Sequence, residues 1–462
     1  MSRDVIFVPG LPGSDLNAPR PQGGREKIFP RTFRRLQEMV WKTVDPRLLG
    51  PDNLTGADPV EAGDPVDRIR ILVIDLKQAR SLYDVLTDEC NLSSHQIHRV
   101  GWDWRRPVSD GRVRTRLTNA ITNAPEGSVL VVHSTGGLVA RSVLRADPQL
   151  CRRLSAVVAF GVPWLGTLKP LAVLLKLASL TAADRADARR VMAHSWAAMD
   201  LLPRANARLT VKGNGQPYDL FSSVEWLPSS PQWLRRAVRP RLAHSLATVG
   251  VPARAWGLPV DLHNVAGFGE ETAVLARIVG GQTRLNVTPG GADLDSEEIC
   301  LGDGTVPFSS AGAIRGGRVK DWIVPIGAYR RMGKKTHSAL WSNPGGVKAL
   351  VHTVTNAPRP SLTELALDTS AYSPRTRIRL RYSVFGANGR PAPGEITITT
   401  PSSPSSRGPF PTDATKGHGT LVFPRGHFHA FRQGSERKRR VKATLRNSSD
   451  GSTTDVFALV PA

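Results

Sequence analysis

Residues 129–141 read V-L-V-V-H-S-T-G-G-L-V-A-R, and no other stretch of the 462-residue chain restricts its fold as much. Four apolar β-formers, Val129 to Val132, run into His133-Ser134-Thr135-Gly136-Gly137, and helical spacing begins at Leu138 and Val139. A buried strand, a sharp turn and a helix must therefore follow one another within a dozen residues. Such a turn holds a serine hydroxyl clear of the sheet edge, in a strained backbone, and leaves the next backbone N–H free to face developing negative charge. Gly136 and Gly137 let the helix pass close to the strand without a Cβ clash. The position two before the serine, where glycine is usual, is Val132.

The flanking sequence repeats this pattern. Val5 to Val8 is an apolar run ended by Pro9-Gly10-Leu11-Pro12-Gly13-Ser14, which predicts a buried strand and a Gly/Pro loop. Helical spacing is expected over residues 29–40, a strand over 70–76 and a helix over 81–90. A strand over 97–102 leads into Gly101-Trp102-Asp103-Trp104-Arg105-Arg106-Pro107, and a helix follows over 113–121. Residues 154–160 form a further buried strand, ended by Gly161-Val162-Pro163-Trp164-Leu165-Gly166. Strands alternating with helices predict a parallel sheet covered on both faces. From Leu168 to about Pro259 the alternation stops, and the segment reads as a helical insertion carrying Trp196, Trp226, Trp233 and Trp256. It is expected to cap the site above the sheet, the alternative being that its tryptophans fill its own core. A strand over 260–266, the loop Gly302-Asp303-Gly304-Thr305-Val306-Pro307, a strand over 322–326 and a helix over 346–354 complete the unit.

Six of these stretches together resemble the lecithin:cholesterol acyltransferase family. They are F-V-P-G-L-P-G-S at Phe7, W-D-W-R at Trp102, H-S-T-G-G at His133, G-V-P-W-L-G at Gly161, G-D-G-T-V-P at Gly302 and T-H at Thr336. They follow the family's order and span roughly the first 355 residues. The resemblance implies an α/β-hydrolase fold and a Ser-Asp-His triad in that chain order, with Ser134 as nucleophile, Asp303 as acid and His337 as base. It implies oxyanion donors at the backbone of Leu11 and Thr135, and acyl transfer from phospholipids or related lipid esters to water or an alcohol. No cofactor and no metal is implied. The chain departs from the family at Val132 and in having no cysteine pair between Pro19 and Ile71.

The residues support the same chemistry independently. A serine hydroxyl attacks well only when a base takes its proton, and an imidazole held by a carboxylate serves that purpose. His352 is a rival base, inside the last helix of the unit, and Asp293 and Asp295 are rival acids in a loop. His133, beside the serine, reads as a structural residue.

Lys and Arg number 62 against 39 Asp and Glu, a formal net charge of +23. That balance points to anionic partners, peripheral contact with an anionic membrane first and nucleic acid second. A basic binding protein with an inactive hydrolase fold is the alternative to an enzyme. Cys90, Cys151 and Cys300 are scattered, without metal spacing, as suits a reducing compartment. No leader pattern precedes the first strand, and Lys169, Pro170 and Lys176 interrupt the longest apolar stretch. A cytoplasmic protein, peripheral at the inner membrane face, is expected.

After residue 357 the pattern changes to short strands and turns. Arg375, Arg377, Arg379 and Arg381 alternate with Thr376, Ile378, Leu380 and Tyr382, Asn388-Gly389 signals a hairpin, and Arg437-Lys438-Arg439-Arg440 is a dense basic run. His427 and His429 are too few for a metal site. The expected organisation is an α/β-hydrolase domain over 1–357, with a cap insertion at about 168–259, followed by an all-β, immunoglobulin-like sandwich over 358–462.

Overall fold

The computed structural model describes residues 2–29, 46–52, 54, 58–66, 68–71, 74–77, 80–175, 182–207, 209–212, 214–222, 226, 231–249, 254–268, 272–273, 275–279, 282–286, 302–326, 337–358, 362–367, 378–386, 392–400, 403–414, 418–423, 438–449 and 451–461. Six strands form the central sheet: β1 (Val5–Val8), β2 (Ile97–Arg99), β3 (Ser128–His133), β4 (Leu154–Phe160), β5 (Asp261–Phe268) and β6 (Val319–Pro325). Their spatial order is β6-β5-β4-β3-β1-β2, and every pairing is parallel. The fold is therefore α/β with a central parallel sheet.

Alternate residues of these strands face opposite helical layers. Ile6, Val8, Leu130, Val132, Val157 and Ala159 pack with α2 (Gly111–Asn123) and α3 (Thr135–Ala146). Val5, Phe7, Val129, Val131, Val158 and Phe160 pack with α1 (Arg80–Asp88) and the closing helix Pro344–Thr355. Both faces are covered, which is why β1, β3 and β4 read as nearly unbroken apolar runs. Val132 fits because its neighbour in register on β4 is the small Ala159.

The chain runs from β1 to β2 on one side and then to β3 on the other. At such a reversal the loops leaving the two strands diverge and open a crevice at their carboxyl ends. The Pro9–Ser14 loop and the Ser134 turn leave the sheet at this point.

The insertion after β4 differs from the helical segment expected. It contains α4 (Lys169–Leu174), α5 (Ala182–His194), α6 (Trp196–Asp200) and α7 (Gln232–Val249). It also contains the strand Thr210–Lys212, which pairs with Leu275–Val279, itself paired with Gln282–Asn286. The two partner strands lie beyond the predicted end at 259, because pairing across the chain leaves no local signature. Trp226 is fully buried in this module, and Trp196 and Trp256 are buried as well; Trp233 is exposed.

One further expectation meets the structure differently. The expected strand over 70–76 is a tight pair, Arg68–Ile71 and Ile74–Lys77. The turn-rich early segments contribute an antiparallel sheet of Ser14–Pro19, Arg25–Phe29 and Glu61–Pro65. The predicted helix over 29–40 lies, past Phe29, outside the described residues.

The tail forms two antiparallel sheets. One comprises Leu362–Leu367, Ile378–Phe385 and His418–Phe423; the other comprises Gly394–Thr400, Ser403–Pro411, Lys438–Asn447 and Thr453–Pro461. Val384, Ile396, Ile398 and Leu445 are buried within it. Arg375, Arg377, the Asn388-Gly389 turn, His427, His429 and Arg437 lie outside the described residues. Among the described residues no helix is long and apolar enough to cross a membrane, and Cys90 and Cys151 are buried and free.

Candidate active site

Ser134 joins β3 to α3 with φ +52° and ψ −127°. A side chain in this left-handed region costs on the order of 1–3 kcal/mol and persists only where its surroundings enforce it. Several contacts do so. The Ser134 N–H donates to Phe160 O at 2.9 Å, and its carbonyl accepts from Gly137 N–H at 3.0 Å. Gly10 presses from the other side, where an added Cβ would lie 2.7 Å from the Ser134 Cβ. Behind the turn, a Cβ on Gly136 would meet Val8 O and Pro9 O at 2.6 Å, and one on Gly137 would overlap Val162. Each glycine of the motif thus answers a particular close approach.

Asp303 is fully buried in the loop following residue 302. Its Oδ1 accepts from Thr305 N–H at 3.1 Å and Val306 N–H at 2.8 Å, leaving Oδ2 to accept from His337 Nδ1–H at 2.7 Å. The His337 N–H also donates to Asp303 O at 2.8 Å, so backbone and side chain both fix the pair. Protonation of Nδ1 leaves Nε2 with its lone pair, the form a general base requires. Thr272 anchors the loop from a distant part of the sequence; its hydroxyl accepts from Gly302 and Gly304 N–H at 3.0 and 2.9 Å.

Adjacent strands bring the serine near the Asp303–His337 pair. His133 lies opposite Phe160 in the β3–β4 register, so Ser134 and Gly161 leave the sheet side by side. An added Cβ on Gly161, whose φ is +56°, would lie 2.8 Å from Asp303 Oδ2 and 2.9 Å from His337 Nδ1. The ring of His133 stands 4.7 Å from that of His337, and His133 Nε2–H donates to His337 O at 2.9 Å. Burial, reinforced by the neighbouring His337, pushes the His133 proton affinity well below the ordinary histidine value. A neutral His133 thus supports the His337 backbone without adding a competing charge.

Leu11 lies in the loop after β1, and Thr135 opens α3, where the first backbone N–H has no carbonyl within the helix to bond. The W-D-W-R stretch contributes support. Trp102 Nε1–H donates to Pro9 O at 2.9 Å and Trp104 Nε1–H to Ser14 O at 3.2 Å, pinning both ends of the Leu11 loop. Asp103 accepts from Arg105 at 2.9 and 2.7 Å, and Arg106 donates to Asp110 at 3.0 Å.

The rival base His352 is not brought to the serine. His352 packs on the far layer against His263 and Trp322, with ring centroids at 5.3 and 5.8 Å, and bonds Ala357 O. Asp293 and Asp295 lie outside the described residues, as does Thr336. Among the described residues no three His, Cys, Asp or Glu side chains converge as a metal ion requires. Sequence reasoning missed Thr272, which has no motif around it, and the supporting bond of His133. The glycine signal at Gly161 was present but unassigned.

No protein-family model and no curated protein matches the chain. Among solved structures it is similar to the Tle4–Tli4 complex, at 14% identity and a TM-score of 0.46, over 77% of this chain and 98% of that one. It is also similar to an engineered protein, at 11% identity and a TM-score of 0.18, over 77% of this chain and 80% of that one. These likenesses are too distant to establish a family.

Proposed function

We propose that the chain is a serine-dependent acyl-transfer enzyme of the α/β-hydrolase type. Its substrates are lipid esters, and an acyl-enzyme forms on Ser134. His337 takes the serine proton, and Asp303 holds the imidazole with Nε2 facing outward. The N–H groups of Leu11 and Thr135 receive the oxyanion. Water or an alcohol then releases the acyl group, which leaves open an acyltransferase or a phospholipase A outcome. The observation that carries the reading is the strained Ser134 turn beside an Asp303–His337 pair bonded at 2.7 Å. The resemblance of six ordered motifs to the lecithin:cholesterol acyltransferase family supports the lipid substrate. The same reading treats residues 1–357 as the catalytic domain, the module after β4 as its cap, and the tail as an immunoglobulin-like domain.

A fluorophosphonate probe tests the chemistry, because only an activated serine reacts. Labelling at Ser134, abolished in His337→Ala, supports the enzyme; a folded protein that resists labelling makes it a basic binding protein instead. Mass spectrometry of products from mixed phospholipids, with and without a sterol, then identifies the acceptor. The charge of +23 supports peripheral attachment to an anionic membrane on the cytoplasmic side. Vesicle binding that ignores both lipid charge and salt would remove that part of the reading.

A further inference from the structure

A cavity of about 630 Å³ lies between α2 and α3 on one side and the cap helices α6 and α7 on the other. Ser134, Asp303 and His337 do not line it. Arg114 on α2 and Arg141 and Arg145 on α3 all face it. Arg141 and Arg145 are one helical turn apart, so their guanidinium groups repel. Burial, and then Arg145, pull the Arg141 pKa down to about 10. Arg141 is only 7% exposed, and its Nη2–H donates to Ala255 O at 2.7 Å. Among the described residues neither Arg114 nor Arg145 forms an ion pair. Three cations thus converge on one space, two of them without an acidic partner. Of the carboxylates lining it, Asp110 is committed to Arg106 and to the start of α2.

The opposite wall carries unused polar atoms. Asp200, 5% exposed, accepts from Val108 N–H at 2.9 Å through Oδ2; its Oδ1 is buried without a well-formed hydrogen bond, although the Ser245 hydroxyl stands close enough to stabilise the carboxylate. His244 Nε2, on α7, is likewise buried without a partner. Buried unsatisfied polar atoms are rare, and here two border the same cavity as the arginines.

We propose that this cavity binds a glycerophosphate unit, its phosphate against Arg114, Arg141 and Arg145 and its free hydroxyl donating to Asp200 Oδ1. The anion relieves the repulsion along α3, and the hydroxyl supplies the missing partner across the cavity. Arg141 and Arg145 lie on the helix that begins at Thr135, and Asp200 and His244 belong to the cap, so the ligand ties cap to body. The inference concerns binding alone and stands apart from any role for Ser134.

The test is calorimetry on full-length Ser134→Ala protein, which cannot consume an ester. Two probes separate the sources of the unit: glycerol 3-phosphate, and dihexanoyl phosphatidylglycerol below its micelle concentration. Binding of the first assigns a soluble ligand, and binding of the second alone assigns a lipid headgroup. Either supports the proposal if Arg145→Glu and Arg114→Gln weaken it about ten- to hundred-fold, the worth of one charge-assisted bond. Arg145 is exposed, so that variant keeps the fold, which its melting curve verifies. No binding of either probe at millimolar concentration overturns the proposal, as does affinity unchanged in both variants.

Discussion

The loop after β1 touches two buried polar clusters of opposite construction. Through Gly10 it meets Ser134 and His133, beside the Asp303–His337 pair, where one carboxylate bonds one imidazole and the serine backbone is strained. Through Pro9 and Ser14 it meets Trp102 and Trp104, which flank Asp103. There Arg105 and Arg106, both buried, share Asp103 and Asp58, and Arg106 also pairs with Asp110. Burial opposes the Arg105 charge, but Asp103 and then Asp58 outweigh it and hold the guanidinium above its ordinary value. The first cluster tolerates backbone strain and, on the proposed function, keeps reactive atoms available. The second uses its charges on one another and fixes a loop. A motif-like stretch can thus carry either chemistry or architecture, and the difference shows in what its polar atoms are bonded to.

Substitution should separate the two most sharply at the first cluster. Ser134→Ala, His337→Ala and Asp303→Asn are each expected to lower kcat on a soluble short-chain ester by about 10⁴ to 10⁶, without the losses adding in combination. Their thermal melts should stay near that of the unmutated protein. A His337→Ala enzyme with most of its turnover would contradict the assignment of the base.

The second cluster should fail in the opposite manner. Asp103→Asn removes the carboxylate between Arg105 and Arg106 and leaves buried cations under-compensated, a loss of about 3–5 kcal/mol in denaturant unfolding. The protein that remains folded should still react with a fluorophosphonate probe. A stable variant with abolished labelling would instead place Asp103 in the chemistry.

Gly161→Ala lies between these extremes. Its Cβ would press on Asp303 Oδ2 and His337 Nδ1, in a backbone region that disfavours any side chain. Displacing the pair by a fraction of an ångström is expected to cost about a hundred-fold in kcat, with little change in KM.

The parts legible in the sequence are those whose physics is local. The inner strands β1, β3 and β4 are apolar on both faces, and the Ser134 turn needs glycines at fixed offsets, so both leave a signature. The Asp303 loop and His337 became specific only through the ordered resemblance, because the residues alone left His352, Asp293 and Asp295 open. The rest depends on distant pairing. Thr210–Lys212 acquires its partner from Leu275–Val279, Thr272 reaches the Asp303 loop from thirty residues away, and the hairpin sheet hides among turn residues. Nothing in the local sequence marks such contacts.

A smaller effect comes from Asp200, which neither cluster uses. Burial raises its carboxyl from 3.8 to about 6, against the pull of Ser245, the Val108 N–H and Arg204. The folded state therefore binds the proton more tightly than the unfolded state. The stability this provides is fully present below about pH 4 and is lost as pH rises toward 6, above which the buried charge costs its full amount. An asparagine keeps the bond to Val108 and removes the charge. Asp200→Asn should therefore gain about 1–3 kcal/mol at pH 7, gain nothing near pH 4, and lack this residue's contribution to the slope between them. Because Asp200 lies outside both clusters and a soluble short-chain ester carries no glycerophosphate, turnover of such an ester per folded molecule should not change. Denaturant unfolding of both proteins across that pH range decides the matter: parallel curves would mean that Asp200 carries no such penalty, and that its unpartnered oxygen is solvated in the cavity.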